Sequence, residues 1–296
     1  MSLRPAIDCV VNIWTDEAAA VRPADRGAFY QNKMKVDAAT YRGISLDDML
    51  ERMDRAGIAH ALLIAAKVGS VGHPGCYHIP YALVADAVRR YPDRFSGLAG
   101  IDPTEGMAGV RTLEHAIKHL GFVGAHSYPH WFELAPDHAR YYPFYAKCVE
   151  LDVPIQLQVG QSMVYSPAHP KRSVGRPISL DAVACDFPEL TLIGIHIGIP
   201  WADEMIAMAW KHPNVYIGAD AHSPKYWPAS FVQYLRSYGQ DKILFGTDFP
   251  VLDFTRTRAE IAALNLPVAV QDKFFYGTAR RLYRLASSLP ASVTRA

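Results

Sequence analysis

The chain has 296 residues, of which 50% are hydrophobic and 20% charged, with a formal net charge of +1. Such a composition excludes a disordered chain, and its interspersed acids and bases exclude the basic stripe of a nucleic-acid binder. The longest apolar runs, HALLIAAKVG and LTLIGIHIGIP, are too short to span a membrane, and MSLRPAID lacks the pattern of a secretory signal. A cytoplasmic globular protein is therefore expected. Its four cysteines, Cys9, Cys76, Cys148 and Cys185, have no C-x-x-C spacing and are expected as reduced core thiols.

From the N-terminus, the apolar run AIDCVVN predicts a first buried strand, and a long charged stretch follows at residues 13–44. SLDDMLERMDRAG then predicts a helix, with Ser45 and Asp48 as a loose capping box in which Asp replaces Glu or Gln. The alternation continues. AHALLIAA, RFSGLAGI, GFVGAHS, VPIQLQV, LTLIGIH, NVYIGAD and KILFGTD read as strands, separated by helical runs such as GVRTLEHAIKHLG and WADEMIAMAWKHP. Eight strand–helix units without a linker-like break predict an α/β chain closed as a (β/α)8 TIM barrel, one domain spanning 1–296. An open doubly wound sheet competes, but no G-x-G-x-x-G follows the first strand. Residues 286–296 are expected to form a flexible or docking tail.

Three connections exceed what barrel geometry needs: residues 13–44, YPHWFELAPDH after the fourth strand, and GQSMVYSPAHPKRSVGRP after the fifth. Loops after strand C-termini build barrel active sites, so these aromatic-rich segments are expected to wall a pocket.

LTLIGIHIGIPWADEM followed by KHPNVYIGADA is similar to the sixth- and seventh-strand region of the amidohydrolase superfamily, in the branch that contains aminocarboxymuconate-semialdehyde decarboxylase. KILFGTDFPV resembles that branch's eighth-strand motif, AIDCVVNIW its first strand and VPIQLQVG its fifth. The resemblance implies a metal held by an H-x-H pair on strand 1, a histidine on strand 5 and an aspartate on strand 8. Those positions read Val10, Asn12, Gln158 and Asp248. Valine has no lone pair to offer, and carboxamide oxygens are weak donors for zinc. The expectation is a site with no catalytic metal and no other cofactor, with a weakly bound divalent ion at His196 and Asp248 as the alternative. Some relatives, including lactonases of pyrone dicarboxylates, work without a metal.

Asp248 closes the eighth strand run and is the candidate general base; His196, at the end of the sixth, is the candidate acid or electrostatic partner. His126 ends the fourth strand run and Tyr128 and His130 follow; His126 is a candidate for holding a substrate carboxylate or carbonyl, Tyr128 a further substrate-binding candidate, and His130 a candidate for capping the loop. Asn12 and Gln158 either orient substrate or bond each other across the barrel. Lys67 could meet an anionic substrate or pair with Asp248, and His222 could reach the mouth. Trp14 is a further candidate for the substrate-binding wall, whereas Arg172 and Arg176 read as solvated loop charges.

Three functions follow. The main expectation is a metal-independent hydrolase of a lactone, ester or amide in a small cyclic or carboxylated compound. The alternative is a decarboxylase or hydratase of the same superfamily, and the third a catalytically inactive binding barrel. The partner is a small-molecule substrate, and a homodimer is expected from the habit of such relatives.

Overall fold

Buried aliphatic runs make the strands. In the computed structural model, which describes residues 4–23, 27–164 and 170–286, they are β1 (Ala6–Asn12), β2 (Ile58–Ala65), β3 (Phe95–Gly100), β4 (Phe122–Ser127), β5 (Ile155–Gln158), β6 (Leu192–Ile195), β7 (Val215–Ala219) and β8 (Ile243–Phe245). Seven of the eight predicted strand runs contain one of them in full, and AHALLIAA overlaps β2 but begins one residue after Ile58. Every one of these residues except Val123 is buried, as expected where helices cover the outside and packed side chains fill the inside. The strands are parallel and neighbour one another in chain order, β1 to β8.

The ring joins between its first and last strands. Asp248 N–H donates to Val10 O at 2.8 Å, and Asn12 N–H donates to Phe249 O at 2.9 Å. Below that seam, buried Asp8 accepts from Thr247 Oγ1 at 2.6 Å and from Thr247 N at 3.0 Å. Burial pushes the Asp8 carboxyl up to about 7, opposed by these hydrogen bonds. The result is a single-domain (β/α)8 barrel.

Helices lie between the strands. Leu46–Ala56 turns Leu46, Met49, Met53 and Ala56 inward, the spacing of one helical face. Its cap differs slightly from a reciprocal box: Ser45 Oγ accepts from Asp48 N at 3.0 Å and donates to the Asp48 carboxylate at 2.9 Å. The helix ends at Gly57, in the left-handed region at φ 70°. Cys9 and Cys148 are buried thiols as expected, whereas Cys76 is half-buried and Cys185 exposed. None of the described helices is long and apolar enough to cross a membrane. Past Ala286, the tail expected at 286–296 lies outside the described residues.

One element escaped the sequence pattern. Between β2 and the next helix, Lys67–Val68 pairs antiparallel with Tyr77–His78 in a two-residue ribbon, too short to carry a period.

After β5 the chain turns at Gly160, whose φ of 90° suits glycine. A Cβ there would fall 2.4 Å from Ile199 O, in the turn that follows β6. Gly160→Ala is expected to cost about 1–3 kcal/mol from backbone strain, with the clash adding to it. A thermal melt would show this as a lowered Tm; a Tm equal to wild type would refute the close approach.

Candidate active site

Three adjacent strands deliver three side chains to one point. His196 follows β6, Asp220 follows β7, and Asp248 lies beyond β8. His196 and Asp248 both take left-handed backbone conformations, at φ 67° and 55°, and Ala221 does so beside Asp220 at 61°. Such angles are uncommon outside glycine and cost on the order of 1 kcal/mol or more apiece, so packing around the strand ends must hold them.

His196 Nε2 lies 3.2 Å from Asp220 Oδ2 and 3.7 Å from Asp248 Oδ2. Asp220 Oδ1 accepts from the His196 backbone N–H at 2.8 Å, which fixes that carboxylate. Asp248 Oδ1 accepts from Asn12 Nδ2 at 2.8 Å. Asn12 Nδ2 also donates to Phe249 O at 3.0 Å, and Asn12 Oδ1 accepts from the Tyr128 hydroxyl at 3.3 Å. Gln158 Nε2 lies 3.1 Å from His196 Nδ1. Asn12 and Gln158 therefore do not bond each other; each holds one member of the cluster.

Burial dominates the electrostatics. It pushes Asp248 up to about 8, against the Asn12 hydrogen bond and with help from the Asp8 charge. Asp220 is raised well above the usual carboxylate range, first by burial and then by the Asp248 charge. His196 is held well below its ordinary value by burial and by neighbouring His222, His126 and His130. Two carboxylates this close cannot both ionise in a dry site without a proton or a cation between them.

The mouth above the cluster opens to solvent, with Asn12, Gln158, His196 and Asp248 at its floor. All three long connections contribute walls: Phe29 and Tyr30 from the first, Tyr128 and Trp131 from the second, Met163 and Val164 from the third. The ribbon adds Val68 and Tyr77.

The remaining candidates stand further off. Trp14 is buried behind the wall, edge-on to Tyr30 at 4.6 Å, with its Nε1 donating to Tyr41 O at 3.3 Å. Lys67 pairs with Glu105 rather than Asp248, because the ribbon aims it at the turn after β3. His222 stacks edge-on to His196 at 6.5 Å, and burial lowers it to about 4. His126 is fully buried against Tyr128 with neither ring nitrogen hydrogen-bonded, and burial lowers it to about 3. His130 does cap a loop: its Nδ1 accepts from Val174 N at 3.1 Å, in the connection after β5. Arg172 and Arg176 pair with Glu133 and Glu204.

Asp220 is the residue that sequence reasoning passed over. Its signal was present, since NVYIGAD ends on an aspartate as KILFGTD does.

A family model described as amidohydrolase matches residues 7–285. The chain belongs to the amidohydrolase family. This amidohydrolase is 24% identical over 249 residues to gamma-resorcylate decarboxylase of Polaromonas sp., covering 68% of this chain and 74% of that enzyme. Its fold is similar to that of a TIM-barrel protein from Bordetella bronchiseptica, with a TM-score of 0.78 and 25% identity over 95% of this chain and 98% of that one. It is also similar to 5-carboxyvanillate decarboxylase from Novosphingobium aromaticivorans, with a TM-score of 0.71 and 17% identity over 95% and 96% of the two chains. That decarboxylase was solved with manganese and 4-hydroxy-3-methoxy-5-nitrobenzoic acid.

The expectation of a site without metal or other cofactor is corrected here. In this amidohydrolase, donor atoms of His196, Asp220 and Asp248 all lie within 4.8 Å of one another and could hold an ion. His196 Nε2 and Asp220 Oδ2 are buried and make no hydrogen bond, which fits a divalent cation between them. The alternative of a weakly bound ion at His196 and Asp248 lacked the third donor, Asp220, which the end of β7 supplies.

Manganese should therefore raise the Tm. The Asp220 carboxyl, raised by burial, carries a proton that the ion must displace, so the rise should be larger at pH 8 than at pH 6. Asp220→Asn should lose most of it; a shift that ignores both pH and this substitution would place the ion elsewhere.

Proposed function

We propose that this amidohydrolase is a metal-assisted lyase that removes carbon dioxide from a small carboxylated aromatic acid. The observation that carries the reading is the buried His196–Asp220–Asp248 cluster at the floor of an aromatic mouth. Its resemblance to decarboxylases, one of them solved with manganese, favours carbon–carbon cleavage over the hydrolysis expected from sequence.

A divalent ion held at His196 and Asp220, beside Asp248, would supply a Lewis acid that neutralises the oxygens of an anionic substrate. The chain's own groups do the rest. Tyr30, Tyr77 and Trp131 offer faces and edges to a flat ring and keep water from it. The Tyr128 hydroxyl holds Asn12, and Asn12 holds Asp248 Oδ1, which leaves Asp248 Oδ2 as the atom free to carry a proton.

Decarboxylation exchanges one bond for another. The carbon–carboxylate bond breaks, its electron pair stays on the ring carbon, and a proton takes the vacated place as carbon dioxide leaves. Asp248 lines the mouth whereas Asp220 does not, and burial pushes the Asp248 carboxyl up to about 8, which favours its protonated form. Asp248 is thus the proton donor to the ring carbon, a role opposite in direction to the general base expected from sequence.

The experiment is a panel of hydroxylated benzoic acids with the manganese-loaded protein, followed for carbon dioxide release and, in heavy water, for one deuterium at the vacated carbon. Asp248→Asn should lower kcat by about 10²–10⁴ while Asp220→Asn also weakens manganese binding. Ester or lactone cleavage without carbon dioxide would instead establish the hydrolase, and full turnover by Asp248→Asn would remove Asp248 as donor.

A further inference from the structure

Gln158 occupies an unusual place beside the cluster. Its Nε2 faces His196 Nδ1 at 3.1 Å, and its Oε1 is buried without any hydrogen-bond partner. On the far side of the ring, His196 Nε2 faces Asp220 Oδ2 and Asp248 Oδ2. The NH₂ end of a carboxamide can only donate, so Nδ1 must present a lone pair to it. The single proton of the neutral imidazole then sits on Nε2, on the side of the ring that faces the two carboxyl groups.

An ion needs the opposite. Coordination uses the Nε2 lone pair, which moves the ring proton to Nδ1 and sets an N–H against the carboxamide N–H. A half-turn of the carboxamide relieves this. Oε1 then accepts from Nδ1–H, and no existing bond to Oε1 is lost because it has none. A carboxylate at this position could only accept when ionised, and an aliphatic side chain could do neither. A carboxamide serves both ring forms at the same distance.

We propose that Gln158 is a positioning residue that switches between two orientations and thereby sets the His196 tautomer: NH₂ toward the ring without an ion, carbonyl toward the ring when His196 Nε2 holds a divalent ion. This rests on the metal-holding reading above.

The test uses the full-length protein labelled with ¹⁵N-histidine, with zinc as a diamagnetic probe and the His196 signals assigned by their loss in His196→Asn. Long-range proton–nitrogen correlation should show the Nε2–H form without metal, and Nδ1–H with a ligated Nε2 after zinc. Gln158→Leu should bind zinc and manganese about 10–100-fold more weakly, the usual cost of losing an outer hydrogen bond to a ligand. Gln158→Glu should show Nδ1–H even without metal. A His196 Nε2 signal unmoved by zinc would overturn the metal-holding reading itself. Ligation by Nε2 with the same tautomer before and after zinc would overturn only the switch, and so would Gln158→Leu with wild-type affinity. The wild-type comparison needs no variant, so it decides the matter even if Gln158→Leu does not fold.

Discussion

Two buried carboxylates facing one imidazole make a demand that the rest of the molecule has to meet. Asp220 and Asp248 are almost wholly removed from water, and no lysine or arginine is among the described residues that line the mouth. Desolvation of a single carboxylate already favours its protonated form, and a second one beside it strengthens that preference. The cluster is therefore a place whose charge either protons or a divalent cation could balance.

The surrounding structure keeps that balance local. Asp220 is tied by one oxygen to the His196 backbone, and Asp248 by one oxygen to Asn12, so in each case the second oxygen is left for the centre. Holding the first oxygens in place lowers the entropy cost of organising the second ones. The left-handed backbone at His196 and Asp248 belongs to the same design: the strands end there and the side chains turn into the mouth. The walls come from four different connections, three of which supply aromatic rings. The seam between β8 and β1, with Asp8 bonded to Thr247, sets Asp248 against Asn12 across the joint.

Val10 and Gln158 account for how the site departs from the family's pattern. Where that pattern implies a ligand, Val10 is a buried aliphatic and Gln158 a carboxamide one atom layer away from the centre, bonded to His196. The groups that could hold an ion lie beyond β6 and β7 as well as at the Asp248 position beyond β8. A family resemblance transfers a barrel and a mouth more securely than it transfers a ligand set, because strands are specified by long patterns and each ligand by a single residue.

By itself the sequence determined the barrel. Its eight apolar runs of strand length, spaced by amphipathic helical runs, could bury their surface in few other ways, and β1 coincides with AIDCVVN in full. It also located His196 and Asp248, because both close strand runs and barrel chemistry gathers at strand C-termini. Only the tertiary structure decided the company they keep. Asp220 joins them, Lys67 goes to Glu105, Trp14 retreats behind Tyr30, and the ribbon brings Val68 and Tyr77 over the floor. Periodicity reports which way a residue faces within its own element, whereas contacts between strand ends exist only once the ring has closed and fixed their register and tilt.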